Sequence, residues 1–209
     1  YPVSGCAQAG VRETLEFYKE LGYAGVFLTN HFIDGNINVD RSLPYEDRIN
    51  FYFSDYEEAK RIESEVGIRV FLGVEVSFAG TDFLVYGLDK AWFLSHPEIE
   101  DMKKSALLRL FMDEGALGIQ AHPFRMRGYL HAIHVCDQYA DGIEVANAGN
   151  TPAQDAYAAR YCKERGIYTI AGSDNHKSSE GSVLYGVGLD KPVASAAEWV
   201  QHILQKKPH

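Results

Sequence analysis

Asp174 and His176 close a short apolar run, Tyr168-Thr169-Ile170-Ala171-Gly172. A carboxylate and an imidazole two positions apart on extended backbone point the same way, so both can reach one metal ion. Three other apolar runs end in the same manner. Gly25 to Thr29 leads into Asn30-His31, Val70 to Val74 into Glu75, and Leu117 to Ala121 into His122-Pro123. His31, Glu75, His122, Asp174 and His176 therefore offer five nitrogen or oxygen donors. Imidazole with carboxylate suits Zn, Mn or Fe(II). Five donors exceed what one catalytic ion takes from protein; two or three ions sharing a carboxylate, Glu75 or Asp174, fit better. Such a cluster makes bound water acidic and clamps both the attacking and leaving oxygens of a phosphate ester. The chain carries no P-loop and no nucleophile with a matched base.

Each residue also has a plainer reading. His31 could be a histidine at the edge of the core, and His122 a strand terminator before Pro123. Asp174 could cap a helix, with His176 on the surface, although Ser178-Ser179-Glu180-Gly181 does not read as a helix start. Glu75 is harder to explain away, because a buried carboxylate without a cation is costly. Glu144 and Asn147 end another strand and could support ligands from behind. Arg125 and Arg127 read as a solvated loop pair, and His131 and His134 as one face of a short helix. The aromatic group Tyr45, Phe51, Tyr52, Phe53 and Tyr56 either packs a long loop down or forms a wall for an organic leaving group.

The elements that must position these residues follow from pattern. Val11–Leu21 is expected to be helical and to stop at Gly22. Residues 31–54 read as a long connection and Tyr56–Val66 as a charged helix. Ile68–Val76 and Asp82–Leu88 read as strands joined by a tight turn at Ala79-Gly80-Thr81. An amphipathic helix is expected over Ile99–Gly115, and a short helix over Tyr129–Tyr139. Asp141–Val145 reads as a strand, Thr151–Arg165 as a helix with Pro152 in its first turn, and Ser182–Leu189 as a last strand. Ser195-Ala196-Ala197-Glu198 opens a final helix with a capping box. Strands and helices alternate throughout. The class is α/β, and ligand types at several strand ends favour a closed barrel over an open sheet.

At 209 residues the chain is expected to form one domain, 1–209, with a sizeable core. A formal net charge of -9 argues against a broad nucleic-acid or anionic-membrane surface. No apolar run is long enough to span a bilayer. Cys6, Cys136 and Cys162 show no paired spacing, as expected of free thiols in the cytoplasm. The chain starts at Tyr1 without an initiator Met, which leads us to expect that the natural N-terminus is not included.

Four segments, Thr29-Asn-His31, Gly73-Val-Glu75-Val, Ala-His122-Pro-Phe-Arg125 and Gly-Ser-Asp174-Asn-His176, in this order, resemble the PHP (polymerase and histidinol phosphatase) domain. Tyr1-Pro-Val-Ser4-Gly-Cys6-Ala resembles the tail of that family's first motif. The likeness runs over essentially the whole chain. It implies a distorted TIM-like (β/α)7 barrel, with its first strand and that strand's His-x-His-Thr missing from this chain. It implies a site of two or three divalent ions (Zn, Mn or Fe) held by His31, Glu75, His122, Asp174 and His176. It puts Asp82 where the family commonly has a further His ligand, and Arg125 where a residue could grip the substrate phosphate. The family often has His or Asp near Gly5; Gly5 has no donor, but its neighbour Cys6 does. Asn30 stands where Asp is usual.

The expectation is then a cytoplasmic metal-dependent phosphoesterase. It would hydrolyse a small phosphorylated substrate with metal-activated water, Arg125 neutralising charge and His176 relaying a proton to the leaving oxygen. Two alternatives stay open. One is a catalytically degenerate barrel that binds metal or a partner. The other is a different metal hydrolase such as an amidohydrolase, which would want a lysine at a strand end.

Overall fold

The computed structural model describes residues 2–32, 34–78, 80–126, 128, 132–179 and 184–206. Arg127, His131, His209 and the start of the expected Ser182–Leu189 strand lie outside them. Six strands form one sheet in sequence order: β1 (Gly25–Phe32), β2 (Arg69–Phe78), β3 (Thr81–Tyr86), β4 (Leu117–Ala121), β5 (Gly142–Asn147) and β6 (Tyr168–Gly172). Helices α1 (Val11–Glu20), α2 (Tyr45–Val66), α3 (Lys90–Ser95), α4 (Lys104–Asp113), α5 (Pro152–Arg165) and α6 (Ala196–Lys206) surround it.

The mixed α/β class is as expected, but the alternation is broken once. β1 and β2 are parallel, β3 is antiparallel to both β2 and β4, and β4, β5 and β6 are parallel again. A tight turn can reverse the chain after β2, whereas a parallel return would need a crossover. The reversal matters for the site, because β3 begins at the rim where the parallel strands end. Among the described residues β1 and β6 are the two edges of the sheet, so a closed seven-stranded ring is not what these residues form.

The two faces of the sheet are sorted by the two-residue period of a strand. On β2, Val70, Leu72, Val74 and Val76 pack outward against helices, while Phe71 packs inward. On β1, Val26, Leu28 and Phe32 pack outward and Phe27 inward. Glu75 shares the face of Phe71, and His31 that of Phe27. Trp199 of α6 plugs the inside, its ring centroid 4.7 Å from that of Phe27. Both faces of the sheet are therefore covered, which explains the near-continuous apolar runs of β2 and β4.

Several boundaries differ from expectation. The connection after His31 is shorter, because α2 begins at Tyr45. Tyr52 and Phe53 are buried in the core beside Phe32 and Phe93, so this aromatic group packs the fold and is no substrate wall. The helix expected from Ile99 starts only at Lys104, after a 3-10 turn over Pro97–Glu100. In place of a helix over Tyr129–Tyr139, the described part shows one 3-10 turn, Asp137–Tyr139. Residues 184–189 are not a strand. Tyr185 there bonds through both its N–H and its carbonyl to the Ser173 hydroxyl, which takes the place of a ladder. The capping of α5 is as expected: Thr151 accepts from the Gln154 N–H, Pro152 opens the helix, and Gly166 ends it with φ 65°.

Candidate metal centre

The inner face of the sheet and its rim bound a cavity of about 760 Å³. Its lower part is apolar, with Phe27, Phe71, Leu84, Ile170 and Trp199, and it lies between the edge strands β1 and β6. Its upper part is lined by Cys6, His31, Glu75, His122, Asp174 and His176. Strand register brings these donors together. His31 is the cross-strand partner of Glu75, and Asp82 is paired with Ala121, the residue before His122.

Glu75, Asp82 and His122 have donor atoms all within 4.8 Å of one another, tight enough for one cation. His122 Nε2 lies 3.7 Å from Glu75 Oε1 and 3.6 Å from Asp82 Oδ2. His31 Nδ1 lies 3.0 Å from Glu75 Oε2, yet it is buried and has no correctly directed hydrogen bond among the described residues. Closely spaced donors that do not satisfy one another fit a missing cation. Imidazole and carboxylate are also the donors a borderline divalent ion prefers. The site's residues thus fit the metal that the sequence led us to expect.

Asp174 and His176 form the other side, with His176 Nε2 3.7 Å from Asp174 Oδ1. The expected ligands thus fall in two groups, His31, Glu75, Asp82 and His122 in one and Asp174 with His176 in the other. Cys6, the donor beside Gly5, lines the same cavity.

Electrostatics follow from these contacts. Burial pushes the Glu75 carboxyl up, but bonds from His122 and His31 outweigh it and hold the group near 2. Burial pushes the His31 imidazole down, and the neighbouring Cys6 and Glu75 more than reverse this, to about 10. The Cys6 thiol falls to about 6, chiefly through His176 and then His31. Asp82 is raised by burial and by the neighbouring Glu75 charge.

A supporting layer orients the donors. His122 and Asp174 both have left-handed backbone, φ 31° and 47°. That conformation is uncommon for residues with side chains and recurs at functional sites. The His122 N–H donates to Glu144 Oε2 at 3.0 Å, and Asn147 Nδ2 donates to the same oxygen at 2.7 Å. Ser77 donates to Asp82 at 2.6 Å. Ser4 Oγ accepts from the His31 N–H and donates to Asn30, and Asn30 in turn donates to Asp55. Asp55 and Ser77 were not picked out from sequence. Asp55 lies inside α2 and Ser77 near the end of β2 carries no ligand-type side chain, so only the folded chain shows them under the site.

Arg125 is 6% exposed. It donates to Asp174 Oδ2 at 2.6 Å, to Asn150 Oδ1 at 2.7 Å and to Asn147 Oδ1. Contact with a substrate phosphate would therefore come at the cost of its bond to Asp174. Two glycines are explained by close approach. A Cβ on Gly172 would lie 2.4 Å from Glu144 Oε1, and one on Gly35 would lie 2.6 Å from the His31 Cβ.

No protein-family model and no curated protein matches this chain. Solved structures do. One is a two-domain protein from Bacteroides vulgatus, described as containing a predicted PHP-like metal-dependent phosphoesterase. It matches at TM-score 0.62 and 17% identity over 87% of this chain, which spans 51% of that protein's length. A candidate metal-dependent phosphoesterase from Bifidobacterium adolescentis matches at TM-score 0.56 and 13% identity, over 97% of this chain and 93% of that one. An amidohydrolase from Chromobacterium violaceum with bound sulfate and no metal matches at 0.53 and 16%, over 96% and 92%. The chain thus has the fold of structures described as PHP-like metal-dependent phosphoesterases.

Proposed function

We propose that this chain is a metal-dependent phosphoesterase acting on a small phosphate ester. The observation that carries the reading is the gathering of donor atoms of Glu75, Asp82 and His122 within 4.8 Å of one another beside an internal cavity, with His31 Nδ1 3.0 Å from Glu75 but without a well-directed hydrogen bond. Divalent ions, when bound there, supply Lewis acidity toward phosphoryl oxygens and water. The chain's own residues have distinct tasks. Glu75, Asp82, His31 and His122 hold one part of the centre, and Asp174 with His176 the other. Arg125 holds the Asp174 carboxylate in place through a 2.6 Å contact to Oδ2. His176, with its side chain 36% exposed, is the imidazole placed to pass a proton to a leaving oxygen. The apolar depth of the cavity would take the organic part of the ester.

The Zn, Mn or Fe identity of the ions and their number, two or three, belong to this proposal, as does a cytoplasmic setting. Among the described residues no helix is long and apolar enough to cross a membrane.

The test is hydrolysis of an aryl phosphate by the metal-stripped protein after addition of Mn, Zn or Fe(II). Metal-stimulated turnover that is lost in His122→Ala is the expected result. Metal binding with no turnover on a panel of phosphate esters would select the second reading, a barrel that holds metal without catalysis. The engagement of Arg125 with Asp174 favours that alternative. Hydrolysis of amides in place of esters would point to the amidohydrolase chemistry of the third structural match.

A further inference from the structure

We propose that Glu144 and Asn147 are positioning residues that, together with Arg125, couple the two halves of the metal centre, so that filling one half favours filling the other. The inference rests on the metal-centre reading above and adds a link between its parts. The link is a buried string of hydrogen bonds. The His122 N–H donates to Glu144 Oε2 at 3.0 Å, and Asn147 Nδ2 donates to the same oxygen at 2.7 Å. Asn147 Oδ1 accepts from Arg125 Nη2, and Arg125 Nη1 donates to Asp174 Oδ2 at 2.6 Å. The string starts in the group of Glu75, Asp82 and His122 and ends in the pair of Asp174 and His176. Its two ends, His122 and Asp174, are the two expected ligands with left-handed backbone.

The chain is shaped around this string. Glu144 and Asn147 are three apart on β5, and in a regular strand they would face opposite sides of the sheet. A register shift against β6, between Glu144 and Ala146, adds one residue to β5. Both side chains can therefore turn to the cavity side, which both of them line. Each residue is 2% exposed. The middle of the string needs a side chain that donates to a carboxylate and accepts from a guanidinium at once, and an amide does both. Gly149 leaves room for it, since a Cβ there would lie 2.8 Å from Arg125 Nη2. Helix α5 anchors the same residues. Asp155 Oδ1 accepts from Asn150 Nδ2 at 2.8 Å and from the Asn147 N–H at 3.4 Å, and Asn150 Oδ1 accepts from Arg125 Nε at 2.7 Å.

The coupling follows from what the string holds. Left-handed backbone at His122 and Asp174 persists only where the surroundings enforce it. Filling one half fixes the ligand at that end. The string then fixes the ligand at the other end, so the second half needs less ordering when it fills, and by linkage the benefit is reciprocal. Repulsion between cations acts in the opposite direction, and it is the same whether the string is whole or cut.

The experiment is a zinc titration of the metal-stripped protein at buffered free zinc, followed by NMR of isotope-labelled histidine rings. His122 reports on one half and His176 on the other. Asn147→Leu cuts the string in its middle but leaves the Glu144 bond to His122 and the Arg125 bond to Asp174 in place; Asn147→Ala serves if that variant does not fold. Glu144→Gln is the conservative control, because its amide oxygen can accept both bonds. In wild type and in Glu144→Gln the two histidines should respond together, with a Hill coefficient of about 1.4 or more. In Asn147→Leu the coefficient should fall to about 1, the value for independent sites. A purely structural role would shift the midpoints and leave the steepness alone. Independent-site steepness in wild type, or full steepness in the cut variant, would overturn the coupling and leave the metal centre standing. Failure of both histidines to respond to zinc would overturn the metal centre as well.

Discussion

Arg125 illustrates how a single residue's burial redirects its role. Its guanidinium sits under the rim with Asp174, Asn147 and Asn150 around it. Removing one member of a buried ion pair leaves the other charge uncompensated, which costs about 3–5 kcal/mol. Arg125→Met should therefore lower the melting temperature strongly and weaken metal binding by freeing Asp174. A drop in activity with unchanged melting temperature would instead show that Arg125 works mainly on the substrate. Glu75 is the complementary case. It lies between His31 and His122, and Glu75→Gln should reduce metal affinity at least tenfold, read by competition with a coloured chelator. The mutant keeps the shape of the side chain, so its fold should survive. Affinity equal to wild type would remove Glu75 from the centre.

At the scale of elements, the site is a product of register and of strand direction. Much of it was legible in the sequence: apolar runs ending in His31, Glu75, His122 and Asp174 are strands whose ends meet at one rim. Asp82 was legible only through the family resemblance, since in isolation it reads as the residue leaving a turn. The antiparallel β3 is what delivers it, because that strand starts where its neighbours finish. Other elements were not legible. Tyr45–Ser54 was read as loop because Gly35, Ser42 and Pro44 precede it, yet Ile49, Tyr52 and Phe53 fall on one helical face and are buried. Residues 184–189 look like a strand by composition, but Gly186 and Gly188 weaken it and the Ser173 hydroxyl takes its backbone bonds. Cys6 was legible only through the resemblance, as the donor beside Gly5, because nothing local marks a loop cysteine as a ligand. One element-level prediction follows from the packing of β5 on β6. Gly172→Ala would press on the Glu144 carboxylate, which holds the His122 backbone. We expect a loss of about 1–3 kcal/mol in stability together with weaker metal binding. Denaturant unfolding and a metal titration check the two effects, and an unperturbed variant would show that Glu144 has room to move.

Among the described residues, a curled sheet with helices on its outer face and α6 within leaves a large cavity, polar at the rim and apolar below. A net charge of -9 is carried on the same chain as a cluster of buried carboxylates. Divalent cations would relieve part of that local repulsion, so the centre and the charge balance point the same way. The central claim is that donors scattered over the sequence from His31 to His176 jointly hold metal ions at one rim. The most direct measurement is an anomalous difference map from crystals of the zinc-loaded protein, recorded at the zinc edge. The account predicts at least one strong peak bounded by Glu75, Asp82 and His122, with His31 turned toward it. Anomalous peaks only at surface residues, with these four side chains free of density between them, would contradict it.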